Sequence, residues 1–283
     1  MPTHSSRSNH SLVAGWRDSA VAEWLLALLV VVGPLVIAHV ATRLLMPGDE
    51  WRDARNAIKL LTLVGAYLLH ARCVERRVPD ELALRPALLE LIVGIGLGAA
   101  LVTIIVIGVW LAGGYAPGAF QGWQAFADLA PKILVGALIE ELLFRGLLLR
   151  LLVKRLGIAA GLVVSTLLFA AAHAGNPGAG TLALVGVGLE VGLLVSLGYL
   201  LTGRVWLGIG MHFAWNFTQG GVFSLPVSGL QGHGLFDGRL AGPDWLTGGP
   251  FGIEGSVVAV AVGALGSAWA WRRPMRQGAM LRR

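Results

Sequence analysis

Eight long apolar runs divide this 283-residue chain, and they restrict its fold more than any other feature. They cover approximately 21–45, 57–73, 88–112, 131–152, 157–174, 181–201, 205–219 and 256–271. Several are close to the lower limit of about 17 residues for a helical span. Their continuity excludes an outer-membrane barrel, whose strands alternate apolar and polar residues. Charged residues make up 13% of the chain and mean hydropathy is +0.72; soluble domains carry about 25% charge. The expected fold is all-α: a polytopic transmembrane helical bundle of about eight spans, covering 21–271. A polar segment precedes it at 1–20, and a basic tail follows at 272–283. The first run exceeds a signal-peptide core and is expected to be retained.

The net charge of +6 owes much to Arg272, Arg273, Arg276, Arg282 and Arg283. Next to an apolar span, such a tail suits anionic lipid better than nucleic acid, so the lipid bilayer is the expected partner. Cys73 is the sole cysteine, which rules out an intramolecular disulfide and a thiolate metal cluster. Lys and Arg are concentrated at 72–85, 150–155, 204 and the tail, and are absent from 114–130 and 175–180. The positive-inside rule then makes this a multi-pass cell-membrane protein with both termini cytoplasmic. Arg52, Arg55 and Lys59 run against that pattern on the first external loop. Trp24, Trp51, Trp206, Trp245, Trp269 and Trp271 fall mostly near span ends, as interfacial anchors do.

Chemistry is concentrated in Ile139-Glu140-Glu141-Leu142-Leu143-Phe144-Arg145-Gly146, three full charges inside an apolar run. An ionisable group at bilayer depth costs about 3 kcal/mol on insertion scales and faces a polar interior. Glu141 and Arg145 are four apart and share a helix face, so they pair. Glu140 lies about 100° further round and is the free carboxylate. His173 closes the fifth run in Phe169-Ala-Ala-Ala-His173. The seventh contributes Met211-His212-Phe213-Ala214-Trp215-Asn216, with His212 and Asn216 on one face. Glu140 with His173 could hold and deprotonate a water, and His212 with Asn216 could donate to a developing oxyanion. Glu140, His173 and His212 could instead bind Zn²⁺ or another divalent metal, which lowers the pKa of its bound water to about 7. A metal-free glutamate mechanism fits the same residues. They could also serve packing alone in a non-proteolytic membrane binding or scaffold protein. A transporter would be expected to show a repeat between its halves, and none is detected.

The motifs Glu-Glu-x-x-x-Arg, Phe-x-x-x-His and His-x-x-x-Asn, in this order on successive spans, resemble those of the CPBP family. That family comprises the CAAX prenyl endopeptidases of the Rce1 type and the bacteriocin-processing enzymes, and is also called Abi. The resemblance covers a core at about 131–217. It implies an intramembrane protease, often labelled a metalloprotease, acting on a peptide or membrane-protein substrate. It also implies roles: Glu140 as the catalytic glutamate, His173 as its helper, and His212 with Asn216 at the oxyanion. Glu141 and Arg145 are then the supporting pair of the first motif.

At 1.5 Å per residue Glu140 lies about 14 Å into its helix, and His212 about 12 Å beyond Arg204, both near mid-membrane. With cytoplasmic termini the cavity opens to the exterior or sideways into lipid. The reading is therefore peptide-bond hydrolysis without a commitment to prenyl-CAAX specificity. Glu190, in the sixth run, either faces the cavity or is a neutral buried carboxyl. The Gly- and Pro-rich segment 220–255 either folds over the outer face or is a plain connector. His39, His70 and His233 receive no role.

Overall fold

The computed structural model describes residues 20–273. The polar segment before residue 20 and the tail beyond Arg273 lie outside the described residues. The protein is mainly helical, and eight helices of more than ten residues can be traced among the described residues. The chain divides between Pro79 and Asp80 into two compact units.

The first unit is a helical hairpin. Helix α1 comprises Ala20–Ala27, a wide π turn Leu28–Val32 and Gly33–Leu45. Helix α2 is Asp49–Val74. Buried Arg55 closes the connection by donating to the carbonyls of Met46 and Gly48, the last groups of α1 and its turn. That satisfies acceptors a helix end leaves unpaired.

The second unit holds the other six: α3 (Ala87–Leu111), α4 (Gln124–Glu141, continuing through Leu142–Leu149 and Arg150–Leu156), α5 (Ile158–Ala172), α6 (Thr181–Thr202), α7 (Trp206–Phe217 with the turn Thr218–Val222) and α8 (Val257–Trp271). Four helices, Ala22–Leu45, Asp49–Val74, Ala87–Leu111 and Thr181–Thr202, are long and apolar enough to cross a membrane. Leu29, Ile37, Leu88, Leu89, Leu167 and Leu265 are exposed on outer helix faces, as suits a hydrocarbon solvent.

Helix α4 starts at Gln124, earlier than its apolar run suggests. Pro131 is an internal residue of the helix rather than its first. Proline lacks the N–H that would bond back along the helix, yet its ring lies on the exposed face and the helix runs through it. The segment Leu142–Leu149 and the α6 segment Gly188–Val195 are both π-helical. Such wide turns are frequent at functional sites, and others lie at Leu28–Val32 and His70–Val74, away from any candidate site residue.

Helices α3 and α7 meet backbone to backbone. A Cβ on Gly94 would lie 2.3 Å from the Leu207 carbonyl oxygen, and one on Gly98 2.3 Å from that of Met211. This small-xxx-small contact sets the depth of His212, the residue after Met211. Gly98→Val is expected to force the helices apart and lower stability by about 1–3 kcal/mol, read as a lower unfolding midpoint in detergent. An unchanged midpoint would show that the close approach is dispensable.

Segment 220–255 is a packed cap, which decides between the two readings of it. Tyr115–Ala116 (β1) pairs antiparallel with Arg239–Leu240 (β2), and Phe120 bridges to Phe236. Leu225, Phe251 and Ile253 are buried in the core of the unit beside Phe169, Ile209 and Trp215.

Candidate active site

Glu140 and Glu141 close the regular part of α4, where the π turn begins, and point different ways. Glu141 is fully buried. Its Oε1 accepts from Arg145 Nη1 at 2.8 Å and from His212 Nδ1 at 2.9 Å. The expected i,i+4 pair is therefore present, and it reaches a second helix. Arg145, 1% exposed, also reaches the opposite π turn, where Nη2 donates to the carbonyls of Val191 and Gly192, while its Nε and Glu141 Oε2 make no hydrogen bond among the described residues. Its guanidinium also lies over the Phe169 ring, 4.7 Å from the centroid. A buried ion pair is tolerable only with such additional hydrogen bonds.

The Glu141 bond orients His212. With Nδ1 committed to the carboxylate, Nε2 turns toward Glu140, 3.8 Å from its Oε2. A carboxylate on one ring nitrogen sets the orientation and proton position of the other. Glu140 itself is more open, with 37% of its side chain exposed. Its Oε2 is enclosed and makes no hydrogen bond among the described residues.

His173, half-buried just past the end of α5, donates from Nδ1 to the Phe169 carbonyl at 2.9 Å, leaving Nε2 available. The Phe169 ring is the hub between the two imidazoles, 4.8 Å from His173 and 6.2 Å from His212, centroid to centroid. Asn216 lies one turn along α7 from His212, half-buried, and its carboxamide makes no hydrogen bond to the described residues.

Glu140, Glu141, Arg145 and His212 thus form one connected group. His173 joins it through Phe169, and Asn216 extends the α7 face. Among the described residues no group of three or more His, Cys, Asp or Glu is placed to hold a metal ion. Glu190 is fully buried against Gly263 of α8, and its oxygens make no hydrogen bond among the described residues.

Two features escaped sequence reasoning. One is the Glu141–His212 bond, which needs α4 and α7 in contact. The other is Glu254, a buried carboxylate in the cap that interacts electrostatically with His173. Burial lifts the Glu254 carboxyl above its ordinary range, while the Ser228 N–H and His173 pull the other way. The sole signal for it was an acid in an otherwise apolar, Gly-rich stretch.

A helical protein with an apolar outer surface and a buried carboxylate–imidazole group is equipped as a membrane-embedded hydrolase. Residues 122–218 match the family model described as Type II CAAX prenyl endopeptidase Rce1-like. The match spans about a third of the chain, starts upstream of Pro131, and contains Glu140, Glu141, Arg145, His173, His212 and Asn216. It bears out the resemblance carried by the three motifs: this region is similar to the Rce1-like domain, a likeness that indicates a membrane-located protease. No curated protein and no solved structure matches the chain.

Proposed function

We propose that the protein is an intramembrane endopeptidase that hydrolyses a peptide bond of a membrane-associated substrate with a glutamate-activated water and no metal. The supporting observation is the placement of His212, held by Glu141 on one nitrogen and facing Glu140 at 3.8 Å on the other. The two atoms are close enough for one water to bridge them at about 2.8 Å once Oε2, enclosed in this structure, turns toward the cavity.

In this reading Glu140 takes a proton from that water, steadied by the free nitrogen of His173. The hydroxide attacks the scissile carbonyl. The oxygen that gains charge accepts from the Asn216 carboxamide and from His212, which lies between two carboxylates. Glu140 then delivers its proton to the leaving amide nitrogen, and the C–N bond breaks. Eight spans with both termini cytoplasmic complete the proposed arrangement in the cell membrane.

Membranes carrying the protein, compared with membranes lacking it, should contain new peptide termini from membrane-associated proteins. Unchanged termini would favour the scaffold reading, in which the buried Glu141–Arg145–His212 group serves packing alone. A metal-free site also predicts that active protein keeps its rate in chelator and carries no stoichiometric Zn²⁺. Stoichiometric Zn²⁺ together with chelator inhibition would transfer water activation to a metal held by Glu140, His173 and His212.

A further inference from the structure

His173 is the C-cap of α5: its N–H donates to the Ala170 carbonyl at 3.0 Å, and the chain turns immediately after it. Two segments far off in sequence, one at Ser228 and one at Glu254, meet that turn as a third. The Asn176 N–H donates to the His173 carbonyl at 3.0 Å, closing the turn. The Asn176 carboxamide reaches across to the cap and donates from Nδ2 to the Ser228 carbonyl at 2.9 Å. Ser228 in turn donates its N–H to Glu254 Oε2 at 2.6 Å, and its hydroxyl lies 3.2 Å from the same oxygen.

The arrangement is built rather than incidental. Ser228 has φ +47°, a left-handed conformation that a non-glycine residue seldom adopts. The conformation is held by Glu254, which is 1% exposed and aims its carboxylate at the Ser228 N–H. The three segments also interlock without room for side chains. A Cβ on Gly178 would lie 2.6 Å from the Phe251 nitrogen, and one on Gly229 2.2 Å from the Pro177 carbonyl oxygen. Glu254 thus joins a continuous run of hydrogen bonds that begins at the His173 carbonyl.

We infer that Asn176, Ser228 and Glu254 are positioning residues that fix His173 in the site through the cap. The inference rests on the hydrolytic reading of that site. None of the three touches the reacting atoms; they act through the backbone that carries the imidazole. Outer partners of this kind govern placement, and a displacement of about 1 Å can cost about 100-fold in rate.

The test uses the full-length protein in detergent with a peptide spanning a cleavage site found in membranes. Asn176→Asp keeps the size but removes the donor to Ser228, and Glu254→Leu removes the acceptor. Both should lower kcat by roughly 10–100-fold with KM nearly unchanged. Glu254→Gln retains an acceptor oxygen and should restore most of the rate. Hydrogen exchange at residues 174–179 should speed up in Asn176→Asp, a readout independent of cleavage. Wild-type kcat in Asn176→Asp, or unaltered exchange in that turn, would overturn the inference while leaving the protease reading intact. Should Glu254→Leu not fold, Asn176→Asp decides the matter alone. A wild-type protein that cleaves no peptide overturns the hydrolytic reading and the inference with it.

Discussion

Glu140→Gln is expected to lower peptide cleavage by about 10²–10⁴-fold while the protein folds and inserts normally. That range is what a positioned general base contributes. The substitution keeps the size and hydrogen-bonding shape of the side chain and removes only its ability to accept a proton. Structure should tolerate it because Glu140 is the open member of the group, with 37% of its side chain exposed, while Arg145 pairs with Glu141. KM should change little, since the carboxylate acts on the water and not on the substrate's flanking residues. The measurement is kcat on a defined peptide, with the unfolding midpoint as control. Wild-type kcat in a folded Glu140→Gln protein removes the base from the proposed mechanism, and water activation would have to lie elsewhere.

Arg145→Ala is expected to act in the opposite way, on the fold first. Glu141 is fully buried and Arg145 almost so. Removing the guanidinium strands a carboxylate in the interior, with His212 as its remaining partner. It also leaves the Val191 and Gly192 carbonyls without their donor. Breaking a buried pair from one side costs about 3–5 kcal/mol, so much of the protein should be recovered misfolded or unfold at markedly lower temperature. The double variant Glu141→Gln/Arg145→Met, which removes both charges and keeps volume, should recover part of that loss. Size-exclusion profiles and unfolding midpoints of the two variants make the comparison. A single variant as stable as wild type would show that the pair does not organise α4, α6 and α7. Together, Glu140→Gln and Arg145→Ala separate chemistry from architecture within one helical turn.

The two neighbouring acids were distinguishable in the sequence because helical geometry is local. Four-residue spacing pairs Glu141 with Arg145, and the 100° step sets Glu140 apart. The same locality made the eight helices and the shared face of His212 and Asn216 legible. What spacing cannot convey is which helices touch. The bond from Glu141 to His212 crosses 71 residues, and nothing in either motif names the other as its partner. The start of α4 was obscured for another reason. Pro131 reads as a first helical residue, but seven polar and apolar residues before it, from Gln124, are already helical. The cap was hidden by composition. Its glycines suggest a loose connector, whereas Gly178 and Gly229 are glycine because backbones meet there. Glu254 followed from none of these patterns, since a lone acid has no periodicity to expose it.

The bare backbone contact between α3 and α7 has a consequence for how a polypeptide enters. Most packed helices are separated by side chains that can change rotamer and let one rod slide on another. At Gly94 and Gly98 there is no such cushion, and the Leu207 and Met211 carbonyls would collide with even a methyl group. The wall that carries His212 and Asn216 therefore behaves as a fixed jamb. Any movement that admits a peptide in the proposed reaction is expected in the other helices or in the cap.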